Sequence, residues 1–193
     1  MDTLDALQQA TAATDKIVTG VQPSQLDSST PCSEWNVRQL LNHMLGSMEL
    51  GSALLSDTAP DEKAAPPGGV PAVDLVGDDP SRAYRSSSDR LLGIAGAPGA
   101  LDTVHKTPLG EMPGAALGGI LGLDLFVHGW DLARTTNQDA TWDQDLAAHV
   151  LAYAEQTIQP EMRADGGFVG PMVEVDANAS PMDHLLGFMG RTP

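Results

Sequence analysis

Seventeen consecutive residues, Leu117 to Ala133 (LGGILGLDLFVHGWDLA), carry only three titratable side chains: Asp124, His128 and Asp131. At about 100° per residue these three fall within roughly a 60° arc of a helix, and Leu117 and Leu121 share their stripe. Two readings follow. An otherwise apolar helix can show its one polar stripe to water. Alternatively the helix is covered all round and the stripe lines a site. A solvent face ordinarily carries Lys, Glu, Gln and Arg, so short carboxylates and an imidazole favour the second reading. The apolar run Ala115 to Val127 is broken by Asp124 and is too short to span a bilayer.

The rest of the chain reads as further helices separated by loops. Leu4, Leu7, Ala10, Ile17 and Val18 recur on one side of a helix over Thr3 to Val18, with Gly20 predicted as a left-handed stop. Pro23, Pro31 and several hydroxyl residues make Val21 to Trp35 a loop. Asn36 is a good N-cap, and Gln39 three residues on resembles the second half of a capping box. It opens a helix that carries Val37, Leu40, Leu41, Met44, Leu45 and Met48 to about Leu55. Ser56 to Pro80, rich in proline and glycine, is an irregular loop of lid length with few apolar groups to bury. Helices are expected over Ser81 to Ala95, from near Pro113 to Thr136, and from Asp143 to about Gln159. Leu101 to Pro108 alternates weakly and suits a short strand or extended arm. Gly166 to Val175 should be extended and Pro181 to Met189 a last short helix. No strand pattern is strong enough to build a sheet. The expected class is therefore all-α: a four-helix bundle with a long loop between helices 2 and 3 and a short extended and helical tail.

Length and charge narrow the function. The 193 residues suit one domain, 1–193. Ten Lys+Arg against 26 Asp+Glu give a net charge of −16. Such a chain lacks the electrostatic footprint for nucleic acid or anionic membranes. A single cysteine, Cys32, excludes an internal disulfide framework and any CxxC motif. It reads as a small buried residue. The segment Met1 to Gly20 is acidic and amphipathic, unlike a signal peptide. A cytoplasmic protein is expected.

Asp124 and His128 at i, i+4 can share one metal ion, as histidine pairs at that spacing do in metalloproteases. A stable site needs a third ligand, for which His43, His105, His149 and His184 are the candidates. His105 lies in a lysine-containing arm, His149 at the polar edge of its helix and His184 in the tail, and these three read as surface histidines. His43 lies two turns into an apolar helix, on a stripe with Ser47, Leu50 and Leu54, where a histidine is commonly a satisfied core or boundary residue. Asp131 can accept an N–H from a ligand histidine and fix its tautomer, or pair with Arg134 at i+3. Arg38 and Arg134 could anchor a substrate carboxylate or serve as surface ion pairs. Trp35 and Trp130 read as core anchors beside the site.

TPCSEWNVRQLLNHMLG (Thr30 to Gly46) and DLFVHGWDLARTTNQ (Asp124 to Gln138) together resemble the two signature segments of the DinB-like superfamily. The branch they resemble is the N-terminal domain of mycothiol-dependent maleylpyruvate isomerase and its stand-alone relatives. SPMDHLLGFMGRTP (Ser180 to Pro193) resembles that branch's ending. The resemblance implies a four-helix bundle holding a divalent metal on three ligands, here His43, Asp124 and His128. The isomerase itself has Glu at the acidic position. The implied ion is zinc, ahead of nickel or iron, and the implied cosubstrate is mycothiol or another low-molecular-weight thiol. Three protein ligands leave a position for water or thiolate, and a metal-bound thiol is deprotonated outright.

The expected function is thus a thiol-dependent transferase or isomerase acting on a small electrophile. Asp131 and Arg134 are the candidate catalytic residues and Arg38 the candidate cosubstrate anchor. The alternatives are a non-catalytic metal-binding bundle with a binding or stress role, and a metal-dependent hydrolase. The expected partners are small molecules only, with homodimer formation left open.

Overall fold

The computed structural model describes every residue except 62, 65, 67, 68, 108, 109 and 164–168. It divides into two compact units, Asp2–Ala140 and Thr141–Pro193. The larger unit holds α1 (Thr3–Gly20), α2 (Val37–Leu55), α3 (Pro80–Ala95), a hairpin of β1 (Val104–Thr107) and β2 (Gly110–Pro113), and α4 (Gly114–Thr136). The smaller holds α5 (Gln144–Thr157) and α6 (Pro181–Phe188). The class is all-α, as expected.

Helices α1 to α4 form a closed ring. α1 packs on α3 and α4, and α2 packs on the same two from the other side. Leu7, Leu40, Met44, Met48, Tyr84, Leu91, Leu125, Phe126 and Leu132 fill the middle with no exposed surface. A buried leucine or phenylalanine contributes roughly 1.5–3 kcal/mol relative to exposure, so this shared core is what fixes the angular position of each helix. α4 also meets α1 at Gly129. A Cβ there would lie 2.6 Å from Thr14 Oγ1, and that hydroxyl donates to the Leu125 carbonyl at 2.9 Å.

The helix starts follow from local capping. The Asn36 side chain accepts from the Gln39 amide while Gln39 reaches back to the Asn36 amide. This reciprocal pair satisfies two donors that the first turn leaves free. It fixes α2, and with it the height of His43. Asp79 caps α3, with Pro80 in its first turn, and Ser180 with Asp183 caps α6. α4 follows directly on Pro113 and ends on Asn137, which takes the left-handed conformation at φ 54°.

Three expectations are corrected. Gly20 is the last residue of α1 and is not left-handed; Val21 caps the helix in an extended conformation. Glycine fits there because the Gln138 side chain occupies the space of a Cβ and donates to the Ile17 carbonyl at 2.9 Å. The arm Leu101 to Pro108 does contain a strand, but it pairs antiparallel with β2, which the sequence pattern did not reveal. Gly110, at φ 109°, opens β2 in a conformation that L-residues avoid. The loop from Ser56 to Pro80 is docked on α2 through its described residues. Pro71 and Val76 are buried, and Asn42 binds Asp74 and the Leu75 amide. The extended tail is seen over 169–175; the remainder of the predicted stretch, 166–168, lies outside the described residues.

Candidate metal centre

His43 enters from α2, and Asp124, His128 and Asp131 come from α4. The two helices pack side by side, so a residue two turns into one faces the middle of the other. His43 Nε2 lies 3.1 Å from Asp124 Oδ1, and His128 Nε2 lies 3.5 Å from the same oxygen. The His43 and His128 rings meet edge to face, with centroids 5.0 Å apart. The ligand atoms of all three residues lie within 4.8 Å of one another. His43 and His128 are 4% and 9% exposed.

The far nitrogen of each ring is occupied. His43 Nδ1 donates to the Gly69 carbonyl at 2.9 Å. His128 Nδ1 donates to Asp131 Oδ2 at 2.9 Å, and Asp131 is completely buried. A ring that donates from Nδ1 carries its lone pair on Nε2 when neutral. Two lone pairs then face one carboxylate, an arrangement that repels unless a proton or a cation lies among them. The second carboxylate oxygen, Asp124 Oδ2, is buried with no hydrogen-bond partner. Such an orphan is costly without a positive partner. The donor chemistry is nitrogen, nitrogen and oxygen, each histidine oriented from behind, which is the pattern of zinc-type sites. The residues therefore fit a divalent metal.

The electrostatics point the same way. Burial pushes the Asp124 carboxyl up, but the facing His43 and His128 outweigh it and hold the carboxyl far below the usual carboxylate range. Burial pushes the His128 imidazolium down, yet Asp124, Asp131 and Cys32 together hold its pKa well above the ordinary histidine value. The trio is a pocket that demands positive charge.

The Trp35 ring forms one wall, 4.6 Å from the His43 ring and 6.0 Å from that of His128. Trp35 is half-buried, and so is Trp130. Arg38 pairs with Asp74 at 2.8 Å and donates to the Gly77 carbonyl at 3.2 Å, so its head group holds the loop. Arg134 is exposed in the last turn of α4.

Of the histidines expected at the surface, His105 is instead 2% exposed. It bonds the Ala100 carbonyl at 2.7 Å, Thr103 at 3.0 Å and Asp57 at 3.1 Å, tying β1 to the end of α2. His149 and His184 are half-buried on the smaller unit. Cys32 is also corrected. It is half-buried, with Sγ 3.8 Å from His128 Nδ1 and 3.5 Å from Asp131 Oδ2. No helical period could have placed Cys32 or the Gly69 carbonyl there, because both sit in loops.

The family model described as "Mycothiol maleylpyruvate isomerase N-terminal domain" matches residues 7–133. Two proteins of Mycobacterium tuberculosis, one from each of two strains and both named as uncharacterized, are each 33% identical to the chain over 192 residues. Each alignment covers 100% of this chain and 99% of the relative. No solved structure matches the chain.

Proposed function

The chain belongs to the family of the mycothiol maleylpyruvate isomerase N-terminal domain, and from that premise we propose that it is a metal- and thiol-dependent transferase or isomerase acting on a small electrophile. The observation that carries the reading is the facing of two Nε2 atoms on Asp124, whose second oxygen is buried without a partner. His43, Asp124 and His128 would hold the ion, zinc being the cation that best suits two imidazoles and a carboxylate. A divalent cation there supplies the positive charge that ionises a thiol at neutral pH.

The chain's own residues do the rest. The Gly69 carbonyl and Asp131 hold the two ring protons on Nδ1, so that each Nε2 is kept as a donor. Asp124 lowers the net charge of the site and so favours a positive charge between the two rings. Trp35 covers the rings and excludes water from one side, which strengthens every charge interaction behind it. Asp131 is thus a positioning residue. Arg38 acts indirectly, through the loop that carries Gly69. Arg134 is solvent-facing in the last turn of α4, where a cation suits the helix dipole.

Elemental analysis followed by thiol titration tests the proposal. The expected result is one divalent ion per chain and a low-molecular-weight thiol that perturbs the visible spectrum of the cobalt-loaded protein. Metal without any thiol response would favour a binding or hydrolytic role. A protein that takes up no metal would overturn the proposal.

A further inference from the structure

His128 has a carboxylate at each ring nitrogen. Asp124 Oδ1 lies 3.5 Å from Nε2, and Asp131 Oδ2 lies 2.9 Å from Nδ1. On the Nδ1 side a thiol completes a second trio: Cys32 Sγ is 3.8 Å from Nδ1 and 3.5 Å from Asp131 Oδ2. The ligand atoms of Cys32, His128 and Asp131 lie within 4.8 Å of one another, as do those of His43, Asp124 and His128. With bonds of about 2.0–2.3 Å to nitrogen, oxygen and sulfur, donors around one ion stand roughly 3–4 Å apart. The spacings of the second trio lie at or close to that range. Cys32 is half-buried, so the trio has a side towards solvent from which an ion can enter.

We propose that Cys32, His128 Nδ1 and Asp131 form a second donor set, selective for a thiophilic cation, which competes with the first set for the His128 ring. The competition is set by the tautomer. A neutral imidazole offers one lone pair. With the proton on Nδ1, held by Asp131, Nε2 faces the first set. With the proton on Nε2, held by Asp124, Nδ1 faces the second. Either tautomer finds a carboxylate waiting, so neither leaves an N–H unpaired. Filling the second set releases the Cys32 thiol proton, while the ring keeps its own proton on Nε2. Thiolate selects soft cations such as Cd²⁺ or Cu⁺, whereas the first set, with two imidazoles and a carboxylate, suits borderline ones. The proposal shares His128 with the proposed function but stands without it, because its ion need not support turnover.

The test uses Co²⁺ as a spectroscopic probe and Cd²⁺ as the thiophilic one. A His43→Ala/Asp124→Asn protein lacks the first set. Loaded with Co²⁺, it should show a thiolate-to-cobalt charge-transfer absorption in the near ultraviolet, and adding Cys32→Ser should abolish it. Wild type loaded with one equivalent of Co²⁺ should lack that absorption, and Cd²⁺ should produce its own thiolate absorption at shorter ultraviolet wavelength. If the double variant does not fold, Asp124→Asn alone carries the same comparison. Absence of the thiolate absorption in a folded variant with either ion would overturn the second set, as would its persistence after Cys32→Ser. The two proposals fail separately. Wild type that shows the thiolate absorption at the first equivalent of Co²⁺ would remove priority from the first set while supporting the second.

Discussion

The Asp131 carboxylate is completely buried on α4, and its place is explained by the His128 ring that it holds. Removing the charge while keeping the shape isolates that role. Asp131→Asn should weaken metal binding by about 10–100-fold, as loss of an outer partner commonly does, with the helical circular dichroism retained. Binding unchanged within twofold would assign Asp131 to structure alone. His105 supports a pH prediction. The Ala100 carbonyl raises its pKa most, burial opposes, and Asp57 adds to the rise. A histidine raised in the folded state stabilises fully below its unfolded pKa of about 6.5 and loses that contribution as pH rises through the folded value. The difference in melting temperature between wild type and His105→Ala should therefore shrink as pH is raised from about 6 to 9. A difference that grows over this range would contradict the assignment. At this scale the sequence was partly transparent. The i, i+4 spacing of Asp124 and His128 pointed to a shared ion, and the resemblance supplied His43. Cys32 and Gly69 reach the site through loop geometry, which carries no period.

Among the elements, the helix starts were more legible than the hairpin and the loop between α2 and α3. Asn36 with Gln39 marked the start of α2, because a side chain that satisfies an end amide leaves a local signature. β2 was opaque: Gly110, Glu111 and Met112 show no alternation, and its partner β1 is tied to Asp57 after α2 by His105. The loop between α2 and α3 was opaque for a related reason. Its attachment is partly polar, through Asn42, Arg38 and Asp74, and hydrophobic pattern does not register that part. Asn42 is 6% exposed, donates to Asp74 at 3.1 Å and accepts from the Leu75 amide at 2.6 Å. Asn42→Ala removes both bonds to half-buried or exposed partners and should cost about 0.5–1.5 kcal/mol for each. It should also speed proteolytic cleavage between residues 56 and 79, and more weakly loosen metal through Gly69. If cleavage is no faster in the variant than in wild type, Asn42 is not the fastening.

For the molecule as a whole, the net charge of −16 and a cation at the proposed site would act on the same folding equilibrium. No helix among the described residues is long and apolar enough to cross a membrane. An excess of carboxylates opposes the compact state through self-repulsion, and salt screens it. The metal-free protein should therefore melt higher in about 0.5 M sodium chloride than in dilute buffer; a lower melting temperature in salt would show that local ion pairs outweigh the general repulsion. A cation bound only by the folded protein stabilises it by mass action, about 2.7 kcal/mol at a hundredfold excess over its dissociation constant. The central claim is that His43, Asp124 and His128 hold that cation. Thermal melting of wild type and His128→Ala, each with and without chelator, tests it most directly. Chelation should lower the wild-type midpoint to near that of the variant and leave the variant almost unmoved. Equal shifts in both proteins, or none in wild type, would contradict it.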